Sequence, residues 1–264
     1  MRMTDIEETI SWTGEPVSCA TCVYNDTLKP IGGCELGRAC IEDRYARRID
    51  RFFDWNPELA NENVEHPHFE VRAIAAKHAD IFRLPPLLQD EEETVRWNAA
   101  RRLPRRMVLP LREDPHREVR IRVASLLEDS ELVPMMRDED YYVRLVVARR
   151  VSPDLLVWMI GDAEAEVRRI VAMRLPLDKL GAMARDSDPR VRLEAVMRLP
   201  PESLAELKDD ADWRVRYEIA SRAPPTHLGA LIDDADELVR EMAQSRIASR
   251  TQTMEAGHGR QYRS

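Results

Sequence analysis

Apolar and polar positions alternate along most of this chain with a period of 24 residues, and the period is marked by one dipeptide. Val-Arg recurs with its valine at Val71, Val95, Val119, Val143, Val167, Val191, Val215 and Val239, with no insertion between copies. Self-similarity at fixed spacing is the signature of stacked repeats, each unable to bury its apolar face alone. Counting from the valine, apolar residues at plus four, plus five and plus eight, as in Val147, Ala148 and Val151, make a one-sided stripe at helical spacing. Five residues before the valine stands Asp in seven of eight copies (Asp90, Asp114, Asp138, Asp162, Asp186, Asp210, Asp234), with His66 in the first. An acid follows at minus three in six copies, and Asp-Pro pairs occur at Asp114-Pro115 and Asp188-Pro189. Carboxylates that accept orphan N–H groups, with proline at the first turn, predict a helix start there. Prolines at plus nine or plus ten, such as Pro104, Pro153 and Pro200, predict its end, giving helices of about ten to twelve residues.

The other half of each repeat carries apolar residues at minus eleven and minus eight: Leu84 and Leu87, Val108 and Leu111, Leu132 and Met135, and so on to Leu228 and Leu231. A separation of three places both on one edge of a 3-10 helix, whereas a strand alternates by two. A ten-residue α-helix is ~15 Å long and a six-residue 3-10 return ~12 Å, so the two legs nearly match and the coil closes. Twenty-four residues are too few for the paired helices of HEAT or armadillo units, and the period-two leucines of ordinary leucine-rich repeats are missing. The pattern Asp-x-[Asp/Glu]-x-x-Val-Arg-x-x-[Ala/Val]-Ala-x-Arg-Leu-Pro resembles that of the leucine-rich repeat variant family, over about residues 61–248. The resemblance implies an all-α fold, a right-handed superhelical solenoid of alternating α and 3-10 helices without sheet.

All four cysteines fall within 22 residues, as Cys19-x2-Cys22-x11-Cys34-x5-Cys40. Three chemistries suit them: a structural zinc site, two disulfides, or an iron–sulfur cluster on four thiolates. Disulfides fit least in a chain read as cytoplasmic, where thiols stay reduced. Zinc commonly uses two Cys-x2-Cys knuckles, and here the second pair is Cys-x5-Cys. The family resemblance implies a [4Fe-4S] cluster on Cys19, Cys22, Cys34 and Cys40, with zinc the alternative, and an association with nitrogen-fixing bacteria. Trp12, Tyr24, Phe52, Phe53 and Trp55 are available to shield it or to build a small core. The expected organisation is a cysteine module at 1–60, eight repeats at 61–248 and a frayed tail at 249–264.

Composition narrows the function classes. The 264 residues are 33% charged and only 6% aromatic, with nine glycines, a mixture for charged helical repeats rather than a turn-dense β-fold. The longest apolar run is Leu155 to Ile160, far short of the ~20 residues that cross a bilayer, and Asp5, Glu7 and Glu8 stand where a secretory signal needs apolar residues. Forty basic against 48 acidic residues give a net charge of −8, which disfavours unspecific nucleic-acid binding. Four of the forty are lysine and the rest arginine. The arginine after each valine is expected to pair with an Asp at minus five, of its own or the adjacent coil. A second series at plus seven, Arg102, Arg150, Arg174, Arg198, Arg222 and Arg246, is the candidate surface for a partner, a protein first and a nucleic acid second. No P-loop, GxGxxG, GxSxG or HExxH occurs, which leans against an enzyme. The expected function is a non-enzymatic iron–sulfur scaffold that binds a protein, its cluster sensing redox state or passing an electron. The alternative is a nucleic-acid-binding solenoid with a structural cluster or zinc. Partner identity and oligomeric state are outside what these patterns specify.

Overall fold

The computed structural model describes the backbone of residues 8–261 and the side chains of residues 8–250. Among the described residues nine helices of eight residues or more carry the architecture: α1 Ala46–Trp55, α2 Phe69–His78, α3 Glu93–Ala100, α4 Arg117–Ala124, α5 Tyr141–Arg150, α6 Ala165–Arg174, α7 Pro189–Arg198, α8 Trp213–Arg222 and α9 Glu237–Gln261. Between them run 3-10 segments, among them Pro85–Gln89, Leu109–Glu113, Val133–Arg137, Pro153–Met159, Gly181–Arg185 and Pro201–Leu207. Some of these are preceded by one four-residue α-turn, as at Leu177–Leu180. Among the described residues there are isolated β-bridges but no strand. No described helix is long and apolar enough to cross a membrane.

The core follows the repeat. Every marker valine is buried, at 0–1% exposure, and so are the apolar residues at minus eleven, from Leu84 to Leu228. Alanine or valine at plus four and plus five keeps neighbouring helices close, and Leu103, Leu127, Val151, Leu175 and Leu199 at plus eight close the layer beneath them. The helices of α2 to α8 run eight to ten residues, slightly shorter than the proline spacing suggests, because the chain already leaves the helix at an extended residue such as Leu175 or Leu199 before each proline.

Two compact units divide the chain, Met1–Glu131 and Leu132–Ser264. The boundary falls inside the repeat array, and the cysteine segment lies in the same unit as the first repeats. The reason is register. Arg48 lies 24 residues before Arg72, and α1 with its following 3-10 segment Pro57–Glu62 forms a further layer that packs against α2. The backbone of 249–261, where the repeat pattern has ended, continues as the last part of α9, and 262–264 lie outside the described residues.

Two arginine series join layer to layer within each unit. The arginine after the valine reaches forward: Arg144 Nε and Nη2 donate to Asp162 at 2.7 and 3.0 Å, while its Nη1 donates to the carbonyls of Asp138 and Glu139. Arg72–Asp90, Arg96–Asp114, Arg168–Asp186, Arg192–Asp210 and Arg216–Asp234 repeat this fork. Each of these aspartates also accepts the N–H two residues on, as Asp186 does from Asp188 at 2.8 Å. Where an aspartate stands at minus three, it is the cap. Asp140, Asp188, Asp212 and Asp236 accept N–H groups of the first helical turn. The carboxylate at minus five thus bridges layers, and that at minus three starts the helix.

Candidate metal centre

Four short turns bring the cysteines around one hollow. A 3-10 turn closes Cys22 N–H onto the Cys19 carbonyl, and the N–H groups of Tyr24 and Asn25 then point at the Cys22 sulfur. The chain returns through Leu28, whose carbonyl accepts from Gly33 N–H at 2.8 Å, with Gly32 in the left-handed region at φ 73°. At Gly33 a Cβ would lie 3.0 Å from Asn56 Oδ1 and 3.2 Å from Leu28 Cβ, so glycine keeps this close approach free of crowding beside Cys34. Asn56, buried at the end of α1, donates through Nδ2 to the carbonyls of Gly33 and Phe52, both at 2.8 Å. Cys34 and Cys40 flank a turn in which Glu35 and Ala39 exchange both backbone hydrogen bonds around Gly37, φ 77°. Cys40 N–H donates to the Arg48 carbonyl, and Arg48 itself is held by fully buried Asp43 at 2.7 Å.

The small hollow so formed is lined by all four cysteines together with Tyr24, Leu36, Ala39, Ile41 and Phe52. Cys40 is buried and the other three are half-buried, and all four are free thiols. Burial raises the Cys22 and Cys34 thiols, reinforced at Cys22 by Glu42 and then Cys19 and at Cys34 by Cys22 and Cys19. Burial pushes Cys40 up to about 12, with Asp43 and Cys22 adding to it against N–H groups of Glu42 and Asp43 that favour the thiolate. Four thiolates in so small a space repel one another, and a multiply positive group between them is what lets them ionise together. Four cysteine thiols around one hollow with an apolar floor are a donor set that fits an iron–sulfur cluster held by Cys19, Cys22, Cys34 and Cys40.

Of the five aromatics available for shielding, Tyr24 and Phe52 line the hollow, with ring centroids 5.4 Å apart. Phe53 sits behind, between Phe52 and His78. Trp12 stacks on His68 at 5.4 Å, and Trp55 lies under the Arg38 guanidinium. His66 takes the aspartate's place in the first repeat and keeps the local half of its work, its Nδ1 accepting from His68 N–H at 3.0 Å, while Arg48 of the layer before pairs with Asp43 instead. Asn56, Asn63 and the Asp43–Arg48 pair were not singled out by motif. Asn63, which donates to the Tyr24 hydroxyl at 3.0 Å, holds the minus-eight place of the extra layer, so extending the repeat one period upstream finds it.

The plus-seven arginines, the sequence-based candidates for partner binding, reach backward in the stack. Arg174 Nη1 and Nη2 donate to the carbonyls of Ala148 and Val151 at 2.6 and 2.8 Å, and Arg246 donates to those of Ala220 and Ala223. Arg102, Arg198 and Arg222 cap the preceding layer in the same manner, and Arg150 holds the same place in the repeat. Carbonyls left over at a helix C-terminus attract cationic donors. These guanidiniums therefore point into the stack, and the cysteine hollow is the site the fold builds.

Layers of α and 3-10 helix tied by arginines, headed by a thiol-lined hollow, define a repeat protein with a metal-cofactor module. The family model "LRV protein FeS4 cluster" matches residues 9–62, the span that holds all four cysteines. A solved structure, a leucine-rich repeat variant described as having a novel repetitive protein structural motif, superposes with a TM-score of 0.82 at 39% identity, over 87% of this chain and 98% of that one. This chain belongs to the leucine-rich repeat variant family and is an iron–sulfur repeat protein. It is also 53% identical over 97 residues to an uncharacterized 27.7 kDa protein in the nifB 3′ region of Rhodobacter capsulatus; that match spans 37% of this chain and 39% of that protein.

Proposed function

We propose that this chain is a non-enzymatic cytoplasmic scaffold in which a [4Fe-4S] cluster on Cys19, Cys22, Cys34 and Cys40 senses redox state or passes an electron, while the repeats hold a protein partner. The observation that carries the reading is the single hollow walled by all four free thiols. When bound, such a cluster supplies one-electron chemistry, and with every iron ligated by cysteine it offers no open position to a substrate. The residues around it suit that use. Tyr24 and Phe52 keep water from its floor, N–H groups at Cys22 and Cys40 stabilise the thiolates, and three half-buried cysteines leave one side near solvent. Val23, Ile31 and Leu36, from the same loops, are exposed and apolar. The Rhodobacter relative is named for the nifB 3′ region, so a host growing by nitrogen fixation is where the partner is to be sought.

Anaerobic purification with iron and sulfide analysis tests the cofactor. The expected result is about four iron and four sulfide per chain, reduced in each single Cys→Ser variant. One zinc without sulfide overturns it. Capture from the native host, with the cluster oxidised and then reduced, tests the switch.

A further inference from the structure

The buried arginines of the first compact unit, Arg48, Arg72, Arg96 and Arg120, spend their donors inside the protein. Three exposed ones on its surface do not. Among the described residues the guanidiniums of Arg47, Arg101 and Arg122 make no hydrogen bond and no ion pair, and all three line one open groove over α1, α2, α3 and α4. At its centre is Trp97, with Arg122 5.3 Å and Arg101 6.0 Å from the ring centroid. Stacking occupies the face of a guanidinium and leaves the N–H edge in its plane open to a planar acceptor. Lys77, tied to Asp50 at 2.8 Å, adds a fourth cation to the wall.

We infer that this groove binds an acidic peptide segment of a protein partner, its carboxylates taken by Arg101, Arg122 and Arg47. The inference rests on the partner-binding half of the function proposed above and not on the cluster, whose iron and sulfide analysis is decided separately. Charge selects the ligand. Four cations against Asp50 and Glu70 make a positive hollow on a chain of net charge −8. Base stacking needs a bare aromatic face, and the one aromatic ring here already has an arginine at its face. Glu70 is half-buried, and burial raises its carboxyl, so it weakens the repulsion only slightly against an incoming acid.

The test is fluorescence anisotropy with fluorescein-labelled octaglutamate and the full chain at low salt, beside a labelled DNA duplex of 16 base pairs. Circular dichroism checks that each variant keeps its fold. Arg101→Gln and Arg122→Gln are each expected to weaken peptide binding about tenfold, since a charged hydrogen-bonded pair is lost. Arg185→Gln, an exposed arginine elsewhere, leaves it unchanged, and Glu70→Gln tightens it about threefold. The inference is overturned by no peptide binding at low salt, by equal loss in R185Q, or by a duplex that binds more tightly and loses its affinity in the same two variants.

Discussion

Removal of Arg168 measures how much the forward arginine fork contributes to the stack. Its Nε and Nη2 meet Asp186 at 2.7 and 2.9 Å, and Nη1 donates to the carbonyls of Asp162 and Ala163 at 2.8 and 3.1 Å. The two side chains are only 12% and 9% exposed. Arg168→Ala leaves the Asp186 carboxylate nearly buried with little beyond the Asp188 N–H to hold it. Breaking a fully buried pair from one side costs about 3–5 kcal/mol, and the residual exposure here lowers that to about 2–4 kcal/mol. Replacing both partners by apolar residues, Arg168→Met with Asp186→Leu, removes the stranded charge and is expected to recover most of the loss. Urea unfolding followed by circular dichroism gives the four corners of the cycle, with a coupling of about 1–3 kcal/mol. Hydrogen exchange on α6 and α7 reads the same loss locally, which matters because repeats open in sections. A cost below about 1 kcal/mol for Arg168→Ala, or a double variant as unstable as the sum of the singles, refutes this account of the fork.

Acid should loosen the repeats in a defined window. Arg190 and Arg214 hold Asp188 and Asp212 at about 2, and arginine hydrogen bonds keep Asp90, Asp186 and Asp234 below the usual range, against burial that pushes the other way. A carboxylate depressed by folding stabilises above its unfolded value of about 3.9, and that stability disappears as pH falls through the folded value. The urea midpoint is therefore expected to fall between about pH 4 and pH 2, and Asp188→Asn to flatten that limb; an unchanged slope contradicts the assignment. At the cysteine module, Asn56→Ala removes both hydrogen bonds that hold Gly33 and the end of α1 and is expected to cost about 2 kcal/mol and to speed iron loss to a chelator. Gly37→Ala places a side chain at φ 77° with Thr9 Cγ2 3.3 Å from its Cβ, and is expected to cost about 1–2 kcal/mol, read as a lower midpoint and lower iron content.

Periodicity alone determined the helices, the 3-10 returns and the buried set, because a 24-residue unit with apolar residues at minus eleven, minus eight, zero, plus four, plus five and plus eight has one way to hide them all. The four clustered cysteines likewise announced a thiol-ligated site, since nothing else in a helical repeat chain calls for them. Direction and partner were another matter. Whether Arg168 pairs with the aspartate of its own repeat or of the next depends on which layer lies against it, and only stacking shows that it reaches forward to Asp186. The plus-seven arginines read as a free cationic ladder in one dimension. In three, the last carbonyls of the neighbouring helix, as at Ala148 and Val151, lie within their reach and take their donors. Asn56 carries no motif, and its role follows from the end of α1 falling beside Gly33. Local pattern specifies which residues are buried, because burial repeats with the backbone period; it does not specify which polar groups meet, because that depends on what the fold brings alongside.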